Sequence, residues 1–364
     1  MSADPYDEES WTRELGGPAL NAGGVLRPST CRFGYPLWTA VILAPLGVLP
    51  GMVAAAIWVA ALVAGVIVGV VLIWRVVRPG GSALAFGTLV ITSLPFWLTL
   101  ITAQVDGLML GLIGAGLWWQ GRGRSGAGAA LAMLAVKPHI VWLTLPAIGV
   151  WLLARSRRTL VVVGITGLVM LSLSLLARPG WIGDWLAEVF RSQRQAWSFN
   201  QTTIWQLGAD FGLPVWAVAI VVVPLIYMLA KEVSRPAVPL VDVIAASLVA
   251  GLLASPYVGS YDLILLAVAW GRILALGIAA TESRRVALLA GLLVSASVLP
   301  WVLYAMSSIS LTSSANESPI SIAVIATAIV LWVALRMDAQ PAGPPPRDRP
   351  LGTMRTRSST LGSG

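Results

Sequence analysis

The apolar part of the chain contains few ionisable residues, and they stand in short polar stretches. Lys137 and His139, the one histidine of the chain, occur in LAVKPHIVWL, Asp106 ends AQVD, and Asp262 ends SPYVGSYD. An ionisable group at membrane depth costs at least about 2.5–3.5 kcal/mol, so a functional role is the default interpretation. Ammonium, imidazole and carboxylate groups at this depth typically bind substrates or transfer protons.

Each of these residues also has a structural interpretation. Lys137 can extend its ammonium group to the membrane interface, with the next proline only kinking a helix and the histidine serving as a hydrogen-bonded core group. Asp106 and Asp262 can cap the helices that follow them. Tyr257 and Tyr261, four residues apart, are more often an interfacial anchor than a ligand platform. The residues alone leave both interpretations open.

The longest polar stretch between apolar segments begins at Arg178. Residues 181–190 put tryptophan and other apolar side chains on one face of a predicted helix and charges toward the other, as in interfacial amphipathic helices. Arg191 and Arg194, three residues apart, are able to hold a lipid phosphate by forked hydrogen bonds. A solvated basic turn is the commoner outcome for such a pair.

The composition identifies a polytopic membrane protein. Of the 364 residues, 57% are hydrophobic and 11% are charged, against about 45–50% and about 25% in soluble domains. Half of the 22 arginines that contribute to the net charge of +8 stand in short turns between apolar segments, which indicates membrane topology and predicts no nucleic-acid partner. With one histidine and a single cysteine, Cys31, we expect no disulfide framework, no His/Cys metal site and no cofactor.

The basic turns predict the topology. If they lie in the cytoplasm, five apices reach the outer face, at 102–106, 137–139, 178–212, 255–262 and 306–318. The residues that can do chemistry therefore converge on one face. The apolar arm before Lys137 contains about 11 residues, or about 17 Å of helix, which is too short to span. We expect Lys137 on a re-entrant hairpin below the surface, where non-helical backbone must face protein or a wet cavity.

The fold prediction is an all-α, polytopic transmembrane helical bundle with about 9–11 membrane segments, short re-entrant ones included. Residues 1–34 are predicted to be a polar extracytoplasmic segment, and residues 35–336 the transmembrane domain. Residues 337–364 are rich in proline and arginine and predict a disordered cytoplasmic tail. We expect a multi-pass protein of the plasma membrane with a cytoplasmic C-terminus.

A series of stretches resembles glycosyltransferase family 87, whose members have the GT-C fold. In order, they are DPYD (4–7), FGYPLWTAVILAPLGVLP (33–50), AQVD (103–106), AGAALAMLAVKPH (127–139) and ASPYVGSYDLILLA (254–267). The resemblance covers most of residues 1 to about 280. It implies transfer of a hexose, typically mannose, from a polyprenyl-phosphate donor to a lipid or glycan acceptor at the outer face, with membrane lipids as further partners.

The implied reaction, taken with the chemistry of the residues themselves, predicts individual roles. The expected donor-phosphate ligands are Lys137, Gln104, Arg191 and Arg194, and the expected sugar and acceptor ligands are His139, Asp106, Tyr257, Tyr261 and Asp262. In the family, a first helix and a loop with the acidic base precede the segment that DPYD resembles. We therefore expect the base upstream of Met1, and the local candidates are Asp4 and Asp7.

Two other functions fit the same residues. Charged groups on broken helices also mark transport pathways, which keeps open a transporter or flippase of a lipid-linked or anionic substrate. The hydrophobic segments show no clear inverted repeat, which weighs against that function. An inactive scaffold with the same fold is the third alternative.

Overall fold

The computed structural model describes residues 35–196, 202–255, 257–309 and 318–338. Throughout these ranges the regular structure is helical, so the predicted all-α bundle is confirmed. The first nine helices are α1 Leu37–Leu43, α2 Gly51–Val77, α3 Leu84–Thr92, α4 Leu94–Ile101, α5 Asp106–Gln120, α6 Ala127–Ala132, α7 Pro138–Val141, α8 Thr144–Arg155 and α9 Arg157–Ala177. The others are α10 Trp181–Ala196, α11 Ile204–Asp210, α12 Val215–Val233, α13 Leu240–Ala254, α14 Ala267–Ala279, α15 Glu282–Leu293, α16 Leu299–Ile309 and α17 Ser321–Asp338.

Short 3₁₀ and π turns join or extend several of these helices. The 3₁₀ turns are Ala44–Val48, Met133–Val136, Ser260–Leu266 and Ser318–Ile320, and the π turn is Val294–Val298. With these extensions, six helices of the described chain are long and apolar enough to cross a membrane. The pair α3 and α4, bent by 66°, makes a seventh if it is one span. Shorter apolar helices, such as Ala127–Val136 before Lys137, account for the larger predicted number of segments.

Helices α2 and α5 pack with their backbones almost in contact. A methyl group on Gly65 would lie 2.5 Å from the carbonyl oxygen of Gly107, and one on Gly111 would lie 2.9 Å from the carbonyl oxygen of Gly65. Small residues permit this approach, which van der Waals packing stabilises in membranes. Because Gly107 follows the first residue of α5, this contact fixes the position of Asp106.

The centre of the bundle is formed by α13 and by the helix that follows it. Every side chain from Leu240 to Leu253 is buried, and most of α14 is buried as well. By contrast, α9 is largely exposed on the outside of the protein, with only 11% of its 18-residue apolar stretch buried, as expected for a helix that faces lipid. The residues that follow α13 therefore start from a fixed position in the core.

The basic turns lie together at one end of the bundle. Hydrogen bonds join them from Thr159 to Gln120 (2.8 Å), from Trp151 to the carbonyl of Val238 (2.9 Å) and from Arg235 to the carbonyl of Leu335 (3.4 Å). The α4–α5 turn, the break at Lys137 and residues 257–262 meet at the opposite end, where Lys137 contacts Asp106 and Asp262; we call it the polar end.

Candidate functional site

The site begins with a break in the helix at Lys137. The 3₁₀ turn Met133–Val136 precedes it, Lys137 has φ −134° and ψ 70°, and α7 begins at Pro138. Proline lacks an N–H group and disfavours helical geometry in the residue before it, so the sequence Lys-Pro ends the first helix. The ammonium group is thereby carried by a non-helical residue inside the bundle.

Lys137 joins two aspartates from distant parts of the chain. Its Nζ donates to Oδ2 of Asp106 at 2.8 Å and to Oδ1 of Asp262 through a short contact. The lysine side chain is 2% exposed and both aspartate side chains are 0% exposed. The three side chains form a buried ion triad that links the three segments of the polar end.

Asp262 is held more firmly than Asp106. Its Oδ2 accepts a hydrogen bond of 2.6 Å from the N–H of Gly259, so both of its oxygens have partners. Oδ1 of Asp106 is buried and has no hydrogen-bond partner among the residues that the structure describes. Asp106 is the first residue of α5, near the positive end of the helix dipole, but the N-cap residue is Val105 and its side chain makes no capping hydrogen bond. Asp262 has both the functional and the structural role, since it binds Lys137 and also accepts the hydrogen bond from the N–H of Gly259 at the start of its own turn.

Tyr261 completes the surroundings of the ammonium group. Its ring centroid lies 4.7 Å from Nζ of Lys137, a favourable cation–π distance. The carbonyl of Tyr261 accepts a hydrogen bond of 2.9 Å from the hydroxyl of Thr99, which ties residues 257–262 to α4. Sequence reasoning did not find Thr99, because a threonine in an apolar helix gives no signal for such a contact.

The triad has one positive and two negative formal charges in a desolvated site. Breaking a buried ion pair by removing one partner typically costs about 3–5 kcal/mol, since the other charge is left uncompensated. The lysine is therefore essential to the packing of the polar end. Because the lysine side chain is 2% exposed, a further ligand can reach the ammonium group only if a neighbouring side chain moves.

Gln104 lies in the neighbouring α4–α5 turn. Its Oε1 accepts a hydrogen bond of 2.7 Å from the hydroxyl of Tyr35, a residue that sequence reasoning did not single out. Ala103 has a left-handed backbone with φ 52°, and its carbonyl accepts a hydrogen bond of 2.8 Å from Nε1 of Trp58. These contacts hold the turn that precedes Asp106 in one conformation.

His139 and Tyr257 form a second pair beside the triad. Their ring centroids are 5.5 Å apart with the planes at 64°, an edge contact. Nε2 of His139 is buried and has no hydrogen-bond partner in the described part of the chain. Ser255 fixes the backbone of Tyr257, because its hydroxyl donates to the carbonyl of Tyr257 at 2.7 Å.

Helix α10 is the predicted amphipathic helix. Trp181 at its start is 1% exposed, whereas Ile182 and Leu186 are 39% and 40% exposed. Asp184, on the polar side, pairs with Arg178 at 2.7 Å. The helix therefore has one edge packed on the bundle and apolar side chains that remain uncovered.

Four predicted site residues have no described side chain. Arg191 and Arg194 lie in the last turns of α10, but their side chains are outside the described residues. Asp4 and Asp7 belong to residues 1–34, which are also outside them. Their roles remain predictions.

The comparisons with known proteins identify one family. The sequence model of glycosyltransferase family 87 matches residues 33–256, more than half of the chain. The match includes Asp106 and Lys137 and ends before Asp262, and it does not reach the DPYD stretch at 4–7. No curated protein and no solved structure shows significant similarity to the chain.

Proposed function

The chain belongs to glycosyltransferase family 87, and from this premise we propose that it transfers a hexose, with mannose as the first sugar to test, from a polyprenyl-phosphate donor to a lipid or glycan acceptor. Family membership and the apolar helices make it a multi-pass membrane glycosyltransferase. The observation that supports the proposed donor is the buried triad, where a lysine suited to bind a phosphate lies inside the bundle.

The proposed orientation follows from the basic turns. Arginine-rich turns stay in the cytoplasm, which puts the polar end on the outer face of the plasma membrane. Helix α17 ends at Asp338 at the same end as these turns, so the C-terminus is cytoplasmic in this proposal. A polyprenyl-phosphate donor, whose lipid stays in the bilayer, then presents its phosphate near the polar end.

Donor binding in this proposal replaces one partner of Lys137. The donor phosphate takes the place of Asp106, because Asp262 keeps two partners whereas Asp106 has only the lysine. Asp106 is the first residue of α5, where the positive end of the helix dipole stabilises a released carboxylate. Lys137 then stabilises the negative charge of the departing phosphate.

The remaining roles follow from the reaction. The acceptor hydroxyl attacks the anomeric carbon, the bond from that carbon to the phosphate oxygen breaks, and the lipid phosphate leaves with the electron pair. A carboxylate base takes the hydroxyl proton; Asp4 and Asp7 are the candidates within the sequence.

We propose Gln104, Arg191 and Arg194 as further phosphate ligands, and His139, Tyr257 and Tyr261 as ligands of sugar hydroxyls. Asp106 and Asp262 act through Lys137.

Purified protein in proteoliposomes tests the proposed function. With polyprenyl-phosphate mannose labelled in the sugar and extracted membrane lipids as acceptors, we expect a labelled product that differs from the donor. The same assay with labelled polyprenyl-phosphate glucose tests which of the two sugars is transferred. Movement of labelled donor across the bilayer without a product would support the flippase, and neither movement nor product would support the scaffold.

Asp106→Asn tests the exchange of partners on Lys137. Removing the competing carboxylate should lower the KM for the polyprenyl-phosphate donor by roughly tenfold, equivalent to about 1.4 kcal/mol. Asp262→Asn is the matched variant, and we expect it to lower transfer instead, because one amide oxygen must then serve both Lys137 and the N–H of Gly259. Equal effects of the two variants on KM would contradict the exchange.

A further inference from the structure

The helix break at Lys137 exposes backbone carbonyls that need hydrogen-bond donors. Pro138 has no N–H to offer to the preceding turn, and a carbonyl without a donor in a buried, apolar setting costs about 1–3 kcal/mol. The carbonyls of Ala135 and Val136, just before Lys137, both accept from side chains of α1. Nε1 of Trp38 donates to the carbonyl of Ala135 at 3.0 Å, and Oγ1 of Thr39 donates to that of Val136 at 3.1 Å.

These two donors come from a short helix 97 residues earlier in the chain. Helix α1 has seven residues and is too short to span a membrane. Thr39 is 3% exposed, so its hydroxyl makes this contact inside the protein. The two adjacent hydrogen bonds therefore restrain the position and the orientation of the backbone that carries Lys137.

Trp38 is itself held by the surface helix α10. Its ring meets that of Trp181 edge to face, with centroids 5.1 Å apart, and Trp181 is 1% exposed. Leu37 and Ala40 are the other buried members of this small cluster, and Val41, Leu171 and Trp185 pack against it. A continuous set of contacts thus runs from α10 through Trp181 and Trp38 to the carbonyl of Ala135, two residues from Lys137.

We propose that Trp38 and Thr39 are positioning residues of the donor site: they fix the broken helix so that Lys137 stays within reach of Asp106, Asp262 and the donor phosphate, and Trp181 holds Trp38 in place. The donor part of this inference rests on the proposed function. The positioning part is a property of the chain alone and can be tested without a substrate.

Trp38→Phe removes the indole N–H and keeps an aromatic ring against Trp181. Its matched control is Trp151→Phe, because Nε1 of Trp151 donates a comparable bond of 2.9 Å to the carbonyl of Val238 at the opposite end of the bundle. Thr39→Val removes the second donor with little change in volume, and Thr39→Ser keeps it. Trp181→Ala removes the ring that supports Trp38.

The first measurement is amide hydrogen exchange over residues 133–141 in nanodiscs. We expect Trp38→Phe and Thr39→Val each to accelerate exchange there by about 2–10-fold, the equivalent of one lost hydrogen bond. Trp181→Ala should accelerate it as well. Thr39→Ser and Trp151→Phe should leave this segment at the wild-type rate. Unchanged exchange in both Trp38→Phe and Thr39→Val would overturn the proposal, whether or not the protein transfers sugar.

The second measurement separates positioning from general loss of structure. In the transfer assay, Trp38→Phe should raise the KM for the polyprenyl-phosphate donor by about 2–10-fold and leave the KM for the acceptor unchanged. A proportional loss with both substrates, matched by Trp151→Phe, would show a merely structural role and overturn the donor part. If wild-type protein transfers no sugar, the proposed function fails, and hydrogen exchange still decides the positioning part.

Discussion

Replacing Lys137 with methionine is expected to lower the free energy of unfolding by about 3–5 kcal/mol, because two buried carboxylates lose their common cation. Methionine keeps an unbranched side chain of similar length, so the change is one of charge and hydrogen bonding rather than volume. Asp106 and Asp262, both fully buried, would then repel each other in a desolvated site. We expect transfer to fall below detection. Thermal unfolding followed by tryptophan fluorescence, together with the transfer assay, measures both effects.

Removing the two carboxylates should restore the stability. In the triple variant Lys137→Met, Asp106→Asn, Asp262→Asn, no formal charge of the triad remains, and replacing a whole buried ion network is often neutral. We expect most of the lost free energy of unfolding to return. A triple variant as unstable as Lys137→Met alone would show that the cost comes from packing around residue 137 and would contradict the electrostatic account.

Gly65→Ala should separate α2 from α5 and disturb the site from a distance. The added methyl would lie 2.5 Å from the carbonyl oxygen of Gly107, and overpacking of this kind typically costs about 1–3 kcal/mol. Because Gly107 follows Asp106, the displaced helix should also shift the carboxylate away from Lys137. We expect a lower unfolding temperature and a reduced rate of transfer.

Gly164→Ala is the matched control for that substitution. Gly164 lies within α9, and a methyl group there would meet nothing within 4 Å. Alanine is favoured over glycine inside a helix by roughly 0.5–1 kcal/mol, so stability should be unchanged or slightly higher. Equal losses in both variants would mean that the close approach of α2 and α5 does not determine the position of Asp106.

Much of the architecture could be predicted because the relevant physics is local. Stretches of apolar residues predict membrane helices, and basic turns such as that near Arg155 fix which ends lie together. The Lys-Pro step predicts a helix break wherever it occurs. The gathering of Asp106, Lys137 and Asp262 at one end follows from these rules, and the structure brings the three side chains into contact.

The pairing within the site could not be predicted, since it depends on how distant helices pack. Nothing local to Asp106 distinguishes a helix cap from a ligand of Lys137; the contact of 2.8 Å between Nζ of Lys137 and Oδ2 of Asp106 appears only once the distant helices are packed. In the sequence, Trp38 and Thr39 likewise do not differ from the other residues of their apolar segment. A signal for them was available in principle, because the carbonyls freed before Pro138 require donors, and tryptophan and threonine are donors that an apolar helix can carry.

The central claim is that the ammonium of Lys137 binds the donor phosphate. A measurement of donor binding tests this claim most directly. Two variants differ only at this residue: the double variant Asp106→Asn, Asp262→Asn and the triple variant that adds Lys137→Met. With labelled polyprenyl-phosphate mannose in nanodiscs, the double variant should bind donor, and the triple variant should bind it about 10- to 100-fold more weakly, as expected for losing a hydrogen bond to a charged group. Equal affinities of the two variants would contradict the claim.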